Sequence, residues 1–132
     1  MKVVLDTNVL IAAFITQGVC HDLLEHCVYR HQIILSDFIL DELRQKLTGK
    51  FKYSIQDARD VAQLLLSAAQ IVTPVIFTSP VSRDPDDDFV LGTAVAGHAV
   101  CIITGDKDLL VLERYQNIDI IKPADFAEYE AR

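Results

Sequence analysis

The sequence predicts an α/β domain in which helices cover both faces of a parallel sheet, and three observations carry that expectation. Short apolar runs alternate with longer stretches of helical period along the whole chain. The runs VVL, IIL, CII and IDII are apolar without polar alternation, as strands buried on both faces are. Residues that start helices stand before several helical stretches: Ser36 and Asp37, Ser54, and Pro123 at a first-turn position. At 132 residues the chain is expected to form one domain over residues 1–132, large enough for a sizeable core and too small for two.

Taken in order, the first strand is predicted at about residues 2–5 and stops on Asp6, after which an apolar helix follows at 8–15. A second helix is expected at 19–30, a strand at 32–35 and a helix at 37–48 entered through Ser36. Next come a helix at 55–70, a strand at 71–76 and a helix at 87–98 that begins in DPDDDF. The remaining strands fall at 100–103 and 118–121, with helices at 106–114 and 123–130. The most polar connections are the loop around Thr48 and Gly49 and the stretch TSPVSRDPDDD. No internal repeat or low-complexity tract divides the chain.

Half of the residues are apolar, 51%, and 23% are charged, which describes an ordinary soluble globule. Twelve basic against nineteen acidic residues leave a net charge of −7. A nucleic-acid partner therefore requires bound cations and a local basic strip, because phosphate neutralisation supplies most non-specific affinity. Such a strip exists in Arg44, Lys46, Lys50 and Lys52, and Lys107 adjoins Asp106. Three cysteines, Cys20, Cys27 and Cys101, include no CxxC pair and leave an odd thiol, which suits a reducing cytoplasm. His21, His26, His31 and His98 show neither HxxxH nor HExxH spacing and are read as ordinary surface or core residues. The first residues form neither a signal peptide nor a membrane span, so a cytoplasmic location is expected.

Four acids stand at junctions that ought to share one edge of the sheet. Asp6 ends the first strand, Glu42 lies inside the helix entered through Ser36, Asp88 belongs to DPDDDF, and Asp106 to IITGDKDLL. In an open α/β sheet ligands sit at the carboxyl ends of the strands. Two carboxylates about 5 Å apart repel by roughly 3 kcal/mol at an effective dielectric near 20, so their convergence calls for a cation. Each acid also has a plainer role, since Asp6, Asp106 and the DPDDDF aspartates can cap or favour a helix start. Glu42 borders the apolar stripe of Phe38, Ile39 and Leu43, where an unpaired carboxylate is costly, while Asp41 lies on the Asp37 side. Helical phase leaves Asp87 and Asp88 equally able to face inward.

The combination resembles the PIN domain of metal-dependent nucleases, and in particular the bacterial PIN proteins that are toxins of toxin–antitoxin pairs. The matching segments are VVLDTNVLI, SDFILDEL, DPDDDFVLGTA, IITGDKDLL and IIKPADF, in that order along nearly the whole chain. The resemblance implies a PIN-like three-layer α/β/α sandwich around a five-stranded parallel sheet. It implies a pocket of Asp6, Glu42, Asp88 and Asp106 that holds Mg²⁺ or Mn²⁺, with Asn8, Ser36 and Thr104 as supporting or substrate-orienting groups. The spacing to Thr104 within the family pattern selects Asp88 over its neighbours. An RNA substrate, products with a 5′-phosphate and a 3′-hydroxyl, a small antitoxin partner and a homodimer or higher homo-oligomer are implied in the same way.

Two other readings compete. A receiver-like signalling domain is also a small acidic α/β protein, but it wants an adjacent acidic pair after the first strand, and here Thr7 follows Asp6. A PIN scaffold that binds RNA or protein without cutting is the other, and the complete set of four acids argues against it. The middle segment, FKYSIQDARDVAQLLLSAAQ, carries no motif that names a substrate.

Overall fold

The computed structural model describes residues 1–132, and at its centre is a sheet whose inner strands are built on the apolar runs Val3–Leu5, Ile33–Leu35 and Cys101–Ile103. The strands are β1 (Lys2–Leu5), β2 (Gln32–Ser36), β3 (Ala69–Val72), β4 (Cys101–Ile103), β5 (Arg114–Tyr115) and β6 (Ile118–Ile121). They lie in the order β3-β2-β1-β4-β6-β5. Every pairing is parallel except β5 with β6. Ile33, Ile34 and Leu35 are each fully buried, and because successive side chains point to opposite faces, both faces of the sheet are covered.

The covering helices are α1 (Thr7–Ile15), α2 (Val19–Arg30), α3 (Asp37–Gly49), α4 (Ile55–Ala68), α5 (Pro85–Ala96), α6 (Lys107–Leu110) and α7 (Phe126–Glu130). α5 packs across β1, β2 and β4, α2 and α3 pack on β2, and α4 packs on β3. Ser36 and Ser54 cap α3 and α4 with their side chains, as expected of residues whose hydroxyls satisfy the first free amides. No single helix is long and apolar enough to cross a membrane.

Three departures from the sequence expectation have local causes. The sheet has six strands rather than five, because the helix expected at 106–114 ends at Leu110 and the chain re-enters the sheet as β5. A two-residue turn, Gln116–Asn117, then pairs Tyr115 with Ile118, with Gln116 at φ 53° as such turns demand. The strand expected at 71–76 stops at Val72, just before Thr73 and Pro74, and a proline has no amide to offer a ladder. Beyond it the chain crosses α5, where the Val75 amide donates to the Gly92 carbonyl at 3.1 Å.

Candidate active site

The direction of chain progress reverses between β1 and β4, which places the sheet's crevice at their carboxyl ends. Leu5 pairs with Ile103, so the next residues, Asp6 and Thr104, meet across the crevice. The Asp6 amide donates to the Ile103 carbonyl at 3.0 Å. Its carboxylate accepts from the Thr7 amide at 2.7 Å and from the Thr104 hydroxyl at 2.7 Å. That hydroxyl in turn accepts from the Asp106 amide at 3.0 Å, so one threonine sets the spacing of two acids. Asp6 is 4% exposed. Burial pushes its carboxyl above the ordinary value of 3.8; the Thr104 and Thr7 bonds oppose this, and the charges of Glu42 and Asp106 reinforce it.

Asp106 caps α6 by accepting from the Asp108 amide at 2.9 Å. The carboxylates of Asp87, Asp106 and Asp108 each offer an oxygen within 4.8 Å of the others. Asp87 is 5% exposed and lies in the first turn of α5, where the Ser82 hydroxyl donates to it at 3.4 Å. Burial raises its carboxyl to about 8, with further upward pressure from the charge and hydrogen bond of Asp106 and from the charges of Asp6 and Asp84. Glu42, half-buried on α3, adds its charge at Asp6. None of these five acids is in an ion pair with lysine or arginine. An all-carboxylate donor set in which burial holds Asp6 and Asp87 above the ordinary carboxyl value fits a hard divalent cation, whose charge favours the ionised forms.

The expectation for Asp88 needs correction. Its carboxylate turns back to the preceding loop and accepts from the amides of Val81 at 3.1 Å and Ser82 at 2.8 Å. Asp87 takes the inward position instead, on the helical face it shares with the buried Val90, Leu91 and Ala94. Asp108, read from sequence as a solvated neighbour of Asp106, also joins the cluster. Neither acid has a sequence signal beyond its place in an acidic run; the burial of Val90 and Ala94 is what decides the phase of α5.

The supporting residues divide. Thr104 is fully buried and touches Asp6 directly. Ser36 is also fully buried; its oxygen accepts from the Ile39 amide at 3.4 Å and lies 2.9 Å from the Thr93 hydroxyl, so it ties α3 to α5 beneath the pocket. Asn8 is exposed at the rim and accepts from Lys46 at 3.4 Å. Lys46 and Lys50 line a groove of about 230 Å³ that begins at Asn8. Arg44 is engaged by Asp41, while Lys52 and Lys107 are exposed.

The profile of the family described as PIN domain matches residues 2–108. An uncharacterized protein of Methanocaldococcus jannaschii is 31% identical over 117 residues, covering 85% of this chain and 75% of its own length. VapBC-1 from nontypeable Haemophilus influenzae superposes with a TM-score of 0.66 at 14% identity, over 94% of this chain and 99% of that one. VapBC2 from Rickettsia felis, bound to a DNA fragment from its promoter, gives 0.65 at 17% identity, over 92% and 98%. DNA-bound VapBC from Salmonella typhimurium gives 0.62 at 18%, over 93% and 98%. At these identities the likeness to the solved structures is one of fold.

Proposed function

The chain belongs to the PIN-domain family, and from that premise we propose that it is a metal-dependent endoribonuclease acting at the pocket of Asp6, Glu42, Asp87, Asp106 and Asp108. The observation that carries this reading is the convergence of the Asp87, Asp106 and Asp108 oxygens within 4.8 Å, with no lysine or arginine to neutralise them. Asp6, Asp87, Asp106 and Asp108 would hold Mg²⁺ or Mn²⁺, which when bound would supply charge neutralisation at the scissile phosphate and make an attacking water more acidic than in bulk. Thr104 and the Thr7 amide hold Asp6 in one orientation, so that little reorganisation is needed when substrate arrives. Water adds to phosphorus, the bond to the 3′-oxygen breaks, and that oxygen takes a proton, leaving a 3′-hydroxyl and a 5′-phosphate. Asn8, Lys46 and Lys50 at the rim are suited to hold flanking phosphates of an unpaired strand, the form of RNA whose bases are open to recognition.

The test is single-turnover cleavage of RNA in Mn²⁺ and in chelator. Asp6→Asn is expected to lower the rate by about 10³-fold, several kcal/mol of lost charge stabilisation, with the fold intact by circular dichroism. Equal rates in Mn²⁺ and in chelator, or an unimpaired Asp6→Asn, would sink the metal-site reading. A chain that binds RNA with no cleavage at any divalent ion would point to a non-catalytic PIN module.

The toxin role and a small antitoxin partner, with self-association, form the finer part of the proposal. The VapBC likeness supports it. So does an uncovered apolar groove of about 590 Å³ lined by Phe14, Ile15, Leu24, Val28, Tyr29 and Leu64. Expression of the chain alone in a bacterium is expected to slow growth, and Asp106→Asn to relieve it. Equal growth at matched protein levels would remove the toxin role and leave the nuclease chemistry standing.

A further inference from the structure

The amino end of the sheet, opposite the acidic pocket, carries a second cluster of ligand-type side chains with a different chemistry. His26 lies on α2, His31 directly follows that helix at the start of β2, and Glu130 is the last residue of α7. The Nε2 atom of His26 is 2.7 Å from the Oε2 atom of Glu130, and the Nε2 atom of His31 is bonded to the same oxygen. All three donor atoms lie within 4.8 Å of one another, although about a hundred positions separate the glutamate from the histidines. Sequence spacing therefore gives no zinc motif, because the third donor arrives from the far end of the chain.

His31 is held firmly. Its side chain is 8% exposed, and its ring meets the edges of His26 and Phe126, each at 5.6 Å between centroids. His26 and Glu130 are more open, at 41% and 29%, and a cavity of about 270 Å³ reaches both from solvent. One carboxylate oxygen accepting from two imidazole donors is an arrangement in which a cation can replace two protons. Tetrahedral zinc, with bonds of about 2.0–2.1 Å, would set neighbouring donors roughly 3.4 Å apart, an adjustment that the two open side chains can make. The Nδ1 atom of His31 lies 3.2 Å from the Met1 amino nitrogen, a contact on the far side of the ring that orients it.

We propose that His26, His31 and Glu130 form a site for a borderline transition-metal cation, Zn²⁺ by preference, that clips α7 to α2 and the start of β2. Imidazole nitrogens select zinc, nickel or copper, whereas the oxygen-only pocket at the other edge selects magnesium or manganese. The clip acts on stability, since α7 is otherwise anchored by the buried Phe126 and by the Tyr129 hydroxyl on Asp119 at 2.9 Å.

The test uses the whole chain, stripped by chelator and dialysed against Zn²⁺ at pH 8 in excess Mg²⁺, so that the oxygen pocket is occupied. Wild type and Asp87→Asn should each retain one zinc per chain, with Tm raised by about 5 °C. His26→Ala and Glu130→Gln should lose at least about tenfold in zinc affinity together with that Tm rise, while keeping the wild-type circular dichroism spectrum. The ring NMR signals of His26 and His31 should move on titration and those of His98 should stay. The proposal is overturned if wild type retains no zinc, or if His26→Ala binds it as wild type does and Asp87→Asn does not. RNA cleavage is not read in any arm, so the outcome is independent of the nuclease proposal.

Discussion

Asp87 faces the pocket because its neighbour does not. The Asp88 carboxylate is fastened to the Val81 and Ser82 amides, and one position back along a helix is a rotation of about 100°, which aims Asp87 at Asp106. Asp87→Asn is therefore expected to cost about 10³-fold in cleavage rate. Asp88→Asn should retain the chemistry and lose roughly 1–2 kcal/mol of stability, because an amide oxygen accepts more weakly than a carboxylate. Cleavage and thermal melts on both variants decide it: an active Asp87→Asn beside a dead Asp88→Asn would refute this assignment. A pH effect follows in chelator-treated protein. The folded-state value of Asp87 lies near 8, against 3.8 ordinarily, so the folded chain holds a proton that the unfolded chain has released. Stability should fall as pH rises from about 4 to about 8, Asp87→Asn should flatten that fall, and Mn²⁺ should reverse it in wild type. That Asp6, Glu42 and Asp106 lie near one another is legible, because a strand end or a helix margin gives each a single direction. The place of Asp87 is not, because phase alone leaves two neighbours equivalent until the Val81 and Ser82 amides are seen to hold the Asp88 carboxylate.

α5 and the loop before it behave as one unit. The Val75 amide bonds the Gly92 carbonyl, and a Cβ on Gly92 would sit 2.2 Å from the Val75 carbonyl oxygen. That approach holds the loop against the helix, and the same loop supplies Val81 and Ser82 to orient the first turn. Gly92→Ala should lower Tm by about 10 °C, as overpacking of a few kcal/mol does in a chain of this size, and cleavage should fall with it. A melt within a degree or two of wild type would show that the contact is dispensable. β1, β2, β4 and β6 are legible because unbroken apolar runs have few other uses. The third strand is less so, since Pro74 interrupts its run. β5 is not legible at all, because two residues, Arg114 and Tyr115, join the sheet only through the turn at Gln116 and Asn117.

Across the whole molecule, the net charge of −7 would set the proposed RNA substrate against an acidic protein, so its affinity would have to be local. The location follows from α3. Lys46 stands one turn after Glu42 on the same helix, bonds Asn8 at the pocket rim, and continues through Lys50 along the groove. Arg44 is the weaker candidate, because Asp41 already holds its guanidinium. If Lys46 and Lys50 each neutralise one phosphate, the logarithm of the RNA binding constant should fall with the logarithm of salt concentration by about 0.7 per contact. Lys46→Ala combined with Lys50→Ala should then flatten that slope by about 1.4 and raise KM. It should leave kcat near wild type, since neither side chain reaches the carboxylates. Binding measured at several salt concentrations, with single-turnover rates at saturating RNA, separates the two effects. An unchanged slope would move the RNA path off α3 and toward the exposed Lys107 beside Asp106, whereas a loss confined to kcat would place the lysines in the chemistry itself.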